Sequence, residues 1–426
     1  MKKTDSVLKV ALEKVRPEEE NIKIIEEKLF EFLKKFRDKV KAAKISAEAF
    51  VGGSFAKGTV MKKDSYDVDI FIRFDKKYKE SELAGLTKRL LKDFEGVKTI
   101  HGSRDYFQMD VSDKICFEIV PVIKVAKPVE ARNITDLSYS HVKYLNRKVK
   151  SKKIKEQIIL AKAFCYATKT YGAESYIKGF SGYSLELLIY YYKSLEKFLR
   201  AAIKNNGKEK LIIDISKKYR NKKRILLDMN GSKLESPIIL IDPTFKQRNV
   251  MAALSDETFA KFIEEAKRFL KNPSEDFFDL EKVDLKKVKI KAKKDKLEFV
   301  SFSASTNKQE GDIAGSKLLK FYNHLGFEIS KYFEIKNRGF DYGKKQSAEF
   351  FFVVKPLKEV LVNGPFIEDK VNVKKFKKEH TKTFIKSKKV YAKAKVDFSL
   401  EQFVKKWKVK NKKKISEMYV QGFEVC

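Results

Sequence analysis

The sequence predicts a multidomain α/β protein, and chain length, hydrophobic content and periodicity carry that prediction. At 426 residues the chain is long enough for roughly two to four domains, and its 43% hydrophobic residues can fill their cores. Strand-like alternation and helical spacing are interspersed at first, helical spacing dominates the middle, and the last third is mixed again. We therefore expect an α/β domain over residues 1–141, a helical domain over 142–280 and an α+β domain over 281–426.

The first domain is expected to begin with a helix and to continue into a sheet. The helix is predicted for Pro17–Val40, where proline and three glutamates occupy the first turn and apolar residues follow at helical spacing. A short strand that ends in a glycine turn follows at 47–54. The segments Asp67–Phe74 and Ile115–Val122 alternate as strands, and a helix near Glu80–Phe94 separates them.

The two later domains are predicted from helix signals and from alternation. One long helix is expected over Ser184–Leu199, and another near 256–270 with Ser255 as its N-cap. The charged run after residue 281 is interpreted as a linker or exposed edge. In the last domain a helix over 311–325 is expected to end at Gly326. The remaining elements are strands at 327–335, 349–355 and 389–397 and a short helix that Ser399 opens.

Composition restricts the classes of function. The 94 Lys+Arg against 58 Asp+Glu give a net charge of +36, which favours a polyanionic partner such as nucleic acid. A lysine-rich proteome is the alternative source of this bias. The three cysteines form no CxxC pair, so we expect neither a disulfide framework nor a zinc site, and a reducing, cytoplasmic setting. No segment approaches the ~18 apolar residues of a spanning helix, so no membrane partner is expected.

Two aspartates on one predicted strand are the most informative feature. Asp67 and Asp69 point to the same face of an extended chain, about 7 Å apart. Acidic side chains on an otherwise apolar strand are costly unless something neutralises them, and a divalent cation is the natural partner. A third carboxylate would complete a two-metal site. Glu118 is the best candidate because it lies within the next apolar strand, and Asp110 competes for the position.

A glycine turn precedes the aspartate strand. Gly52, Gly53 and Ser54 are expected to form a tight turn that leads into a helix. Backbone N–H groups in such a turn, with the Ser54 hydroxyl and the Lys57 ammonium, are suited to hold a phosphate. Two metal ions beside it could activate a 3′-hydroxyl and neutralise a leaving pyrophosphate.

The turn, the aspartate strand and the later acidic strand resemble the polymerase-beta-type nucleotidyltransferase superfamily. More narrowly, the chain resembles the archaeal-type (class I) CCA-adding enzymes, a family of tRNA nucleotidyltransferases. Four further segments have the order and spacing of that family, so the resemblance covers nearly the whole chain: 136–145, 169–189, 241–255 and 364–380. It implies a nucleotidyltransferase head with a mixed sheet, a helical central domain that contacts nucleotide and primer, and an α+β tail that binds tRNA.

The resemblance also implies roles for individual residues. Asp67, Asp69 and Glu118 match the catalytic, metal-binding carboxylates, although the family often has aspartate at the last of these positions. Ser54 and Lys57 match triphosphate contacts, with lysine where arginine is common. The other implied nucleotide contacts are Lys162, Tyr171 and Tyr183 for triphosphate and sugar, Ser138 and His141 for the ribose, and Arg248 for the base.

The implied activity is template-independent addition of CCA to the 3′ end of tRNA from CTP and ATP, with two Mg²⁺ ions as cofactors. The acceptor stem and TΨC arm of the tRNA would contact the lysine-rich tail, where Lys374, Lys375, Lys377, Lys378 and the 405–414 lysines are candidates. A homodimer is left open. The alternatives are a poly(A) or oligoadenylate polymerase of the same superfamily and a non-catalytic RNA-binding protein, which the intact aspartate pair disfavours.

Overall fold

A computed structural model describes residues 3–101, 105–205, 209–279, 284–343, 345–380 and 382–426. The chain divides into two units, Met1–Glu281 and Lys282–Cys426. The helices of the first unit are α1 (Lys3–Val15), α2 (Glu19–Ala42), α3 (Gly53–Lys57), α4 (Glu80–Leu90), α5 (Ser138–Lys148), α6 (Lys152–Ala167), α7 (Gly182–Tyr192), α8 (Leu195–Asn205), α9 (Lys222–Asp228), α10 (Gly231–Leu234) and α11 (Asp256–Lys271). Its strands are β1 (Ala47–Val51), β2 (Tyr66–Phe74), β3 (Val97–Ile100), β4 (Tyr106–Ser112), β5 (Ile115–Ile123), β6 (Leu211–Ile213) and β7 (Ile238–Leu240), with short 3₁₀ helices at Pro128–Glu130, Ile134–Leu137 and Glu275–Phe278.

A five-stranded mixed sheet forms the core of the first part of this unit. Its order is β1-β2-β5-β4-β3, with β2 parallel to β5 and the other neighbours antiparallel. Val68, Ile70 and Ile72 of β2 are buried with apolar residues of α2 and α4. Because side chains alternate along a strand, the intervening residues of β2 lie on the opposite face. The mixed α/β architecture predicted from the sequence is confirmed.

A helical core follows the sheet. Apolar side chains of α6, α7, α8 and α11 pack around Phe164, Phe180, Phe198 and Phe262, and α1 joins them. The prediction of one helix over Ser184–Leu199 is wrong. The chain breaks at Lys193, whose φ of 69° is left-handed, and α8 then begins. The hydroxyl of Ser194, which accepts from the Lys197 N–H, satisfies the new helix start.

The second unit is α+β. Its helices are α12 (Leu285–Lys294), α13 (Asp312–Ser330), α14 (Lys370–Glu379), α15 (Leu400–Lys410) and α16 (Lys412–Glu417). Its strands are β8 (Glu298–Ser305), β9 (Phe333–Tyr342), β10 (Ser347–Pro356), β11 (Glu359–Phe366), β12 (Thr383–Lys386), β13 (Lys389–Lys395) and β14 (Gly422–Val425). They form a four-stranded sheet, β14-β8-β10-β9, and a three-stranded sheet, β11-β13-β12. No helix in the described part of the chain combines the length and hydropathy that a membrane crossing needs.

Three predictions in this unit are wrong. The charged run interpreted as a linker or edge contains α12, because Asp284 caps its first turn and Ala292 packs against Phe351 and Val353. Gly326 does not end a helix, and 327–335 is not a continuous strand, because α13 continues to Ser330. A Cβ on Gly326 would lie 3.2 Å from the Phe352 ring, so this glycine serves close packing of the helix on β10. Packing and not capping therefore explains it.

Candidate active site

The three predicted carboxylates lie on one face of the mixed sheet. In the parallel pairing of β2 with β5, Asp69 is opposite Glu118 and Asp67 is opposite Cys116. Alternation along β2 and β5 therefore brings all three acidic residues to the same face. Burial raises the pKa of Asp69; the Lys57 ammonium opposes this shift and the Asp67 carboxylate adds to it. A partly buried carboxylate of this kind favours a cation as neighbour.

The competing residue, Asp110, lies one strand farther away. It is exposed on β4, pairs with Cys116 across the β4–β5 ladder, and accepts from Lys98 Nζ at 2.8 Å. Glu118 instead is directly beside Asp69 and accepts from the Gln108 side chain at 3.2 Å. This placement favours Glu118 as the third ligand, and the assignment stays a prediction.

The donor chemistry at this face suits a hard divalent cation. Among the described residues, no three His, Cys, Asp or Glu side chains already converge as a metal-holding group. Asp67, Asp69 and Glu118 nevertheless offer carboxylate oxygens from adjacent strand positions, which is the ligand type that Mg²⁺ selects. The residues present therefore fit Mg²⁺.

The glycine turn lies directly against the Asp69 carboxylate. The Gly52 N–H donates to the Asp69 carbonyl at 2.8 Å, which ties the turn to β2. Gly53 has a φ of +60°, and a Cβ there would lie 1.7 Å from Asp69 Oδ2. Helix α3 then carries Ser54 and Lys57. Only glycine satisfies both the backbone conformation and the space beside the carboxylate.

Replacing Gly53 by alanine should therefore displace either the turn or the Asp69 carboxylate. We expect the nucleotidyl transfer that the resemblance implies to fall by about 100-fold, because small misplacements of reacting groups have effects of that size. Initial rates measured at saturating nucleotide test this. The matched control is Gly85→Ala in α4, where a Cβ meets nothing within 4 Å. Equal losses of activity in both variants would contradict the assignment of the turn.

Two lysines that the resemblance assigns to the triphosphate converge on a buried acid. Lys57 Nζ lies 2.6 Å from Glu186 Oε2, and Lys162 Nζ lies 2.8 Å from Glu186 Oε1. Thr59 Oγ1 donates to the same carboxylate at 2.8 Å. Although burial opposes ionisation, Lys162 and Lys57 lower the pKa of Glu186 to about 2. Sequence reasoning missed Glu186, whose signal is a single acid inside the apolar helix GYSLELLIYYY.

A second buried acid gathers the residues assigned to ribose and base. Asp242 Oδ2 lies 3.0 Å from His141 Nε2 and accepts from Arg248 Nη1 at 2.8 Å, while Tyr183 Oη donates to Oδ1 at 3.3 Å. The Thr244 N–H and hydroxyl donate to Oδ1 as well. Burial alone would raise the pKa of Asp242, but His141 and Arg248 hold it well below its usual range. Sequence reasoning missed this acid too.

The remaining predicted residues border these clusters. Burial lowers the pKa of His141, whose ring stacks on Tyr183 with centroids 4.1 Å apart. Ser138 is the first residue of α5 and is one turn before His141, so both share a helix face. Tyr171 lies beside Gly182, where a Cβ would be 3.0 Å from the Tyr171 hydroxyl and 3.7 Å from Lys162 Cε.

Two domain families match adjacent parts of the first unit. The nucleotidyltransferase domain matches residues 31–157, which include the carboxylates and the glycine turn. The second domain of tRNA nucleotidyltransferase matches residues 156–279, which include both buried acids. The fold is also similar to that of the Cid1 poly(U) polymerase bound to 3′-dATP, with a TM-score of 0.51 at 14% identity over 66% of this chain and 99% of that chain.

Curated relatives are archaeal proteins named CCA-adding enzyme. That of Nanoarchaeum equitans is 40% identical over 226 residues, which are 53% of this chain and 56% of that protein. That of Methanocaldococcus jannaschii is 32% identical over 284 residues, 64% of this chain and 61% of that protein. The chain thus spans 51–61% of the length of the first four such relatives.

One relative matches over most of its length. The CCA-adding enzyme of Sulfurisphaera tokodaii is 30% identical over 377 residues, which cover 85% of this chain and 84% of that protein. The aligned part is therefore too long to belong to the nucleotidyltransferase domain alone. The chain belongs to the archaeal-type, class I CCA-adding enzyme family of the polymerase-beta-type nucleotidyltransferases.

Proposed function

We propose that this protein adds CCA to the 3′ end of tRNA from CTP and ATP without a nucleic-acid template, releasing pyrophosphate. The observation that carries the proposal is the contact of the glycine turn with the carboxylate face that bears Asp67, Asp69 and Glu118. A phosphate held by such a turn would lie beside oxygen ligands for metal ions. Membership in the CCA-adding enzyme family supports the proposal that the tRNA 3′ end, CTP and ATP are the substrates.

The three carboxylates would bind the metal ions together. Asp67 and Asp69 would hold the Mg²⁺ ions, with Glu118 as the third ligand. When bound, the ions lower the pKa of the terminal hydroxyl and neutralise charge on the pyrophosphate. Ser54, with Lys57 behind it in α3, would hold the triphosphate in line for attack.

The residues around Asp242 would orient the nucleotide. Ser138 and His141 would contact the ribose, and Tyr183 supports the His141 ring by stacking. Arg248, held by Asp242, would recognise the base together with phosphates of the RNA. No histidine base is required: burial lowers the pKa of His141, and its Nε2 is already engaged with Asp242 at 3.0 Å.

The second unit would bind the acceptor stem and the TΨC arm. Helix α14 carries Lys374, Lys375, Lys377 and Lys378, all of them exposed. Duplex RNA is recognised through shape and phosphate contacts, so an exposed lysine row suits it.

We expect tRNA affinity to fall steeply with salt because each neutralised phosphate releases counterions. A homodimer and a cytoplasmic location stay predictions.

Transcripts of a tRNA without its 3′ terminus test the proposed function. With CTP alone we expect addition of two C, and with CTP and ATP together a single CCA, both read by sequencing the products. Long A tails from ATP alone would support the polymerase alternative. Binding of the transcript without any incorporation would support the non-catalytic alternative.

A further inference from the structure

Glu186 of α7 lies between the two lysines assigned to the triphosphate. Its oxygens are divided between them, with Oε2 bonded to Lys57 and Oε1 bonded to Lys162. We propose that Glu186 is a positioning residue: it fixes the buried ammonium group of Lys162 and orients that of Lys57 for the triphosphate of the incoming nucleotide. The inference deepens the proposed function and rests on one part of it, the binding of a nucleoside triphosphate at this site.

Hydrogen bonding fixes Lys162 in one orientation. Its ammonium group donates to Glu186 Oε1 at 2.8 Å, to Thr59 Oγ1 at 2.9 Å and to the Thr59 carbonyl at 3.1 Å. Lysine has three N–H donors, so this set uses all of them. A long side chain that is already fixed loses less conformational entropy when a ligand binds beside it. Glu186 supplies the only charged acceptor of that set.

The balance of charge explains why the two lysines need an acid between them. It also explains why that acid does not remove the positive charge that attracts a triphosphate. The side chains of Lys57 and Lys162 are 10% and 3% exposed, so two cations are buried around one carboxylate. Without Glu186, two ammonium groups would face each other in a poorly solvated space, which is costly. With it, one positive charge remains in excess. A triphosphate that approaches the glycine turn would meet that excess charge at Lys57, in α3.

The protonation of Lys162 depends on Glu186. Burial lowers the pKa of Lys162, the carboxylate of Glu186 raises it, and the charges of Lys57 and Lys63 lower it. The Tyr171 hydroxyl also faces the cluster. Burial raises its pKa, so the hydroxyl adds no charge to the cluster. Removal of the Glu186 charge leaves burial and two cations acting on Lys162. The ammonium form would then be lost at lower pH.

The test compares Glu186→Gln with the wild-type protein. We expect KM for CTP to rise about tenfold, the size of one hydrogen bond to a charged group. We expect the alkaline limb of kcat/KM to move to lower pH, and affinity for inorganic tripolyphosphate, measured by calorimetry, to fall by a similar factor. Glu186→Asp, which keeps the charge, should restore the pH profile in part. An unchanged KM and profile, or tighter binding in Glu186→Gln, would overturn the proposal.

Two further variants keep the test decisive. Thr59→Val keeps the side-chain shape and all charges but removes one acceptor of Lys162 and one donor to Glu186. It should also raise KM, and it replaces Glu186→Gln in the test if that variant does not fold. Glu156 lies on the same helix as Lys162 and is bonded to Arg16, so Glu156→Gln is the charge-matched control. It should leave KM and pH profile unchanged. Parallel losses in both Glu→Gln variants would show a structural effect only and overturn the positioning role.

The outcomes separate this inference from the proposed function. If the wild-type protein binds tripolyphosphate more tightly than Glu186→Gln but adds no nucleotide to tRNA, the positioning role stands and the proposed function fails. If the wild-type protein adds CCA and Glu186→Gln matches it in KM and pH profile, the proposed function stands and the positioning role fails.

Discussion

Asp69→Asn should abolish nucleotidyl transfer while tRNA affinity stays almost unchanged. The asparagine keeps the shape of the side chain beside Gly53 but removes the charge that would bind metal ions. We expect a loss of about a thousandfold or more, equivalent to about 4 kcal/mol in the transition state. Single-turnover rates and filter binding of tRNA measure the two quantities.

The same experiment can identify the third carboxylate. Glu118→Gln should lose activity to a similar extent, because Glu118 is opposite Asp69 in the parallel ladder. Asp110→Asn should retain it, because Asp110 is exposed and paired with Lys98 one strand farther away. The reverse result would assign the position to Asp110. Retained activity in Asp69→Asn would mean that the metal assignment is wrong.

Asp242→Asn should have the largest effect on stability and should also weaken base selection. Asp242 is fully buried and bonded to His141 and Arg248, so its loss leaves a partly buried guanidinium without its counter-charge. We expect the free energy of unfolding to fall by about 3 kcal/mol. Because Arg248 loses its anchor, incorporation of UTP in competition with CTP should rise. Urea titrations and product sequencing test both.

The pH dependence of unfolding gives an independent check on Asp242. A carboxyl whose folded-state pKa is depressed stabilises the protein above its unfolded pKa, and that contribution is lost as pH falls. The wild-type protein should therefore lose stability below pH of about 4 more steeply than Asp242→Asn. Asp228→Asn, at an exposed position of α9, is the control and should follow the wild-type curve. Identical curves for wild type and Asp242→Asn would contradict the account.

Local signals predicted the carboxylate face because its geometry is set by neighbours in sequence. Two-residue alternation puts Asp67 and Asp69 on one face of β2, and the glycines that make the turn come just before that strand. The pairing with Glu118 follows from the parallel alignment of two apolar strands. Elements with clear caps, such as the helix opened by Ser255, were predictable for the same reason.

The buried acids could not be predicted because their partners are distant in sequence. Glu186 meets Lys57 across 129 positions, and Asp242 meets His141 across 101. No periodicity within a helix or loop reports such a pairing. The role of Gly326 is not visible locally for the same reason, since the ring that requires it belongs to a later strand. Local sequence reports only the neighbours of a residue, whereas tertiary packing decides its role.

Metal binding at the carboxylate face is the most direct test of the account. Electron paramagnetic resonance can count bound Mn²⁺, a paramagnetic substitute for Mg²⁺, in the presence of a non-hydrolysable CTP analogue. We expect two ions for each wild-type chain and loss of binding in Asp69→Asn. Equal Mn²⁺ stoichiometry and affinity in the two proteins would contradict it.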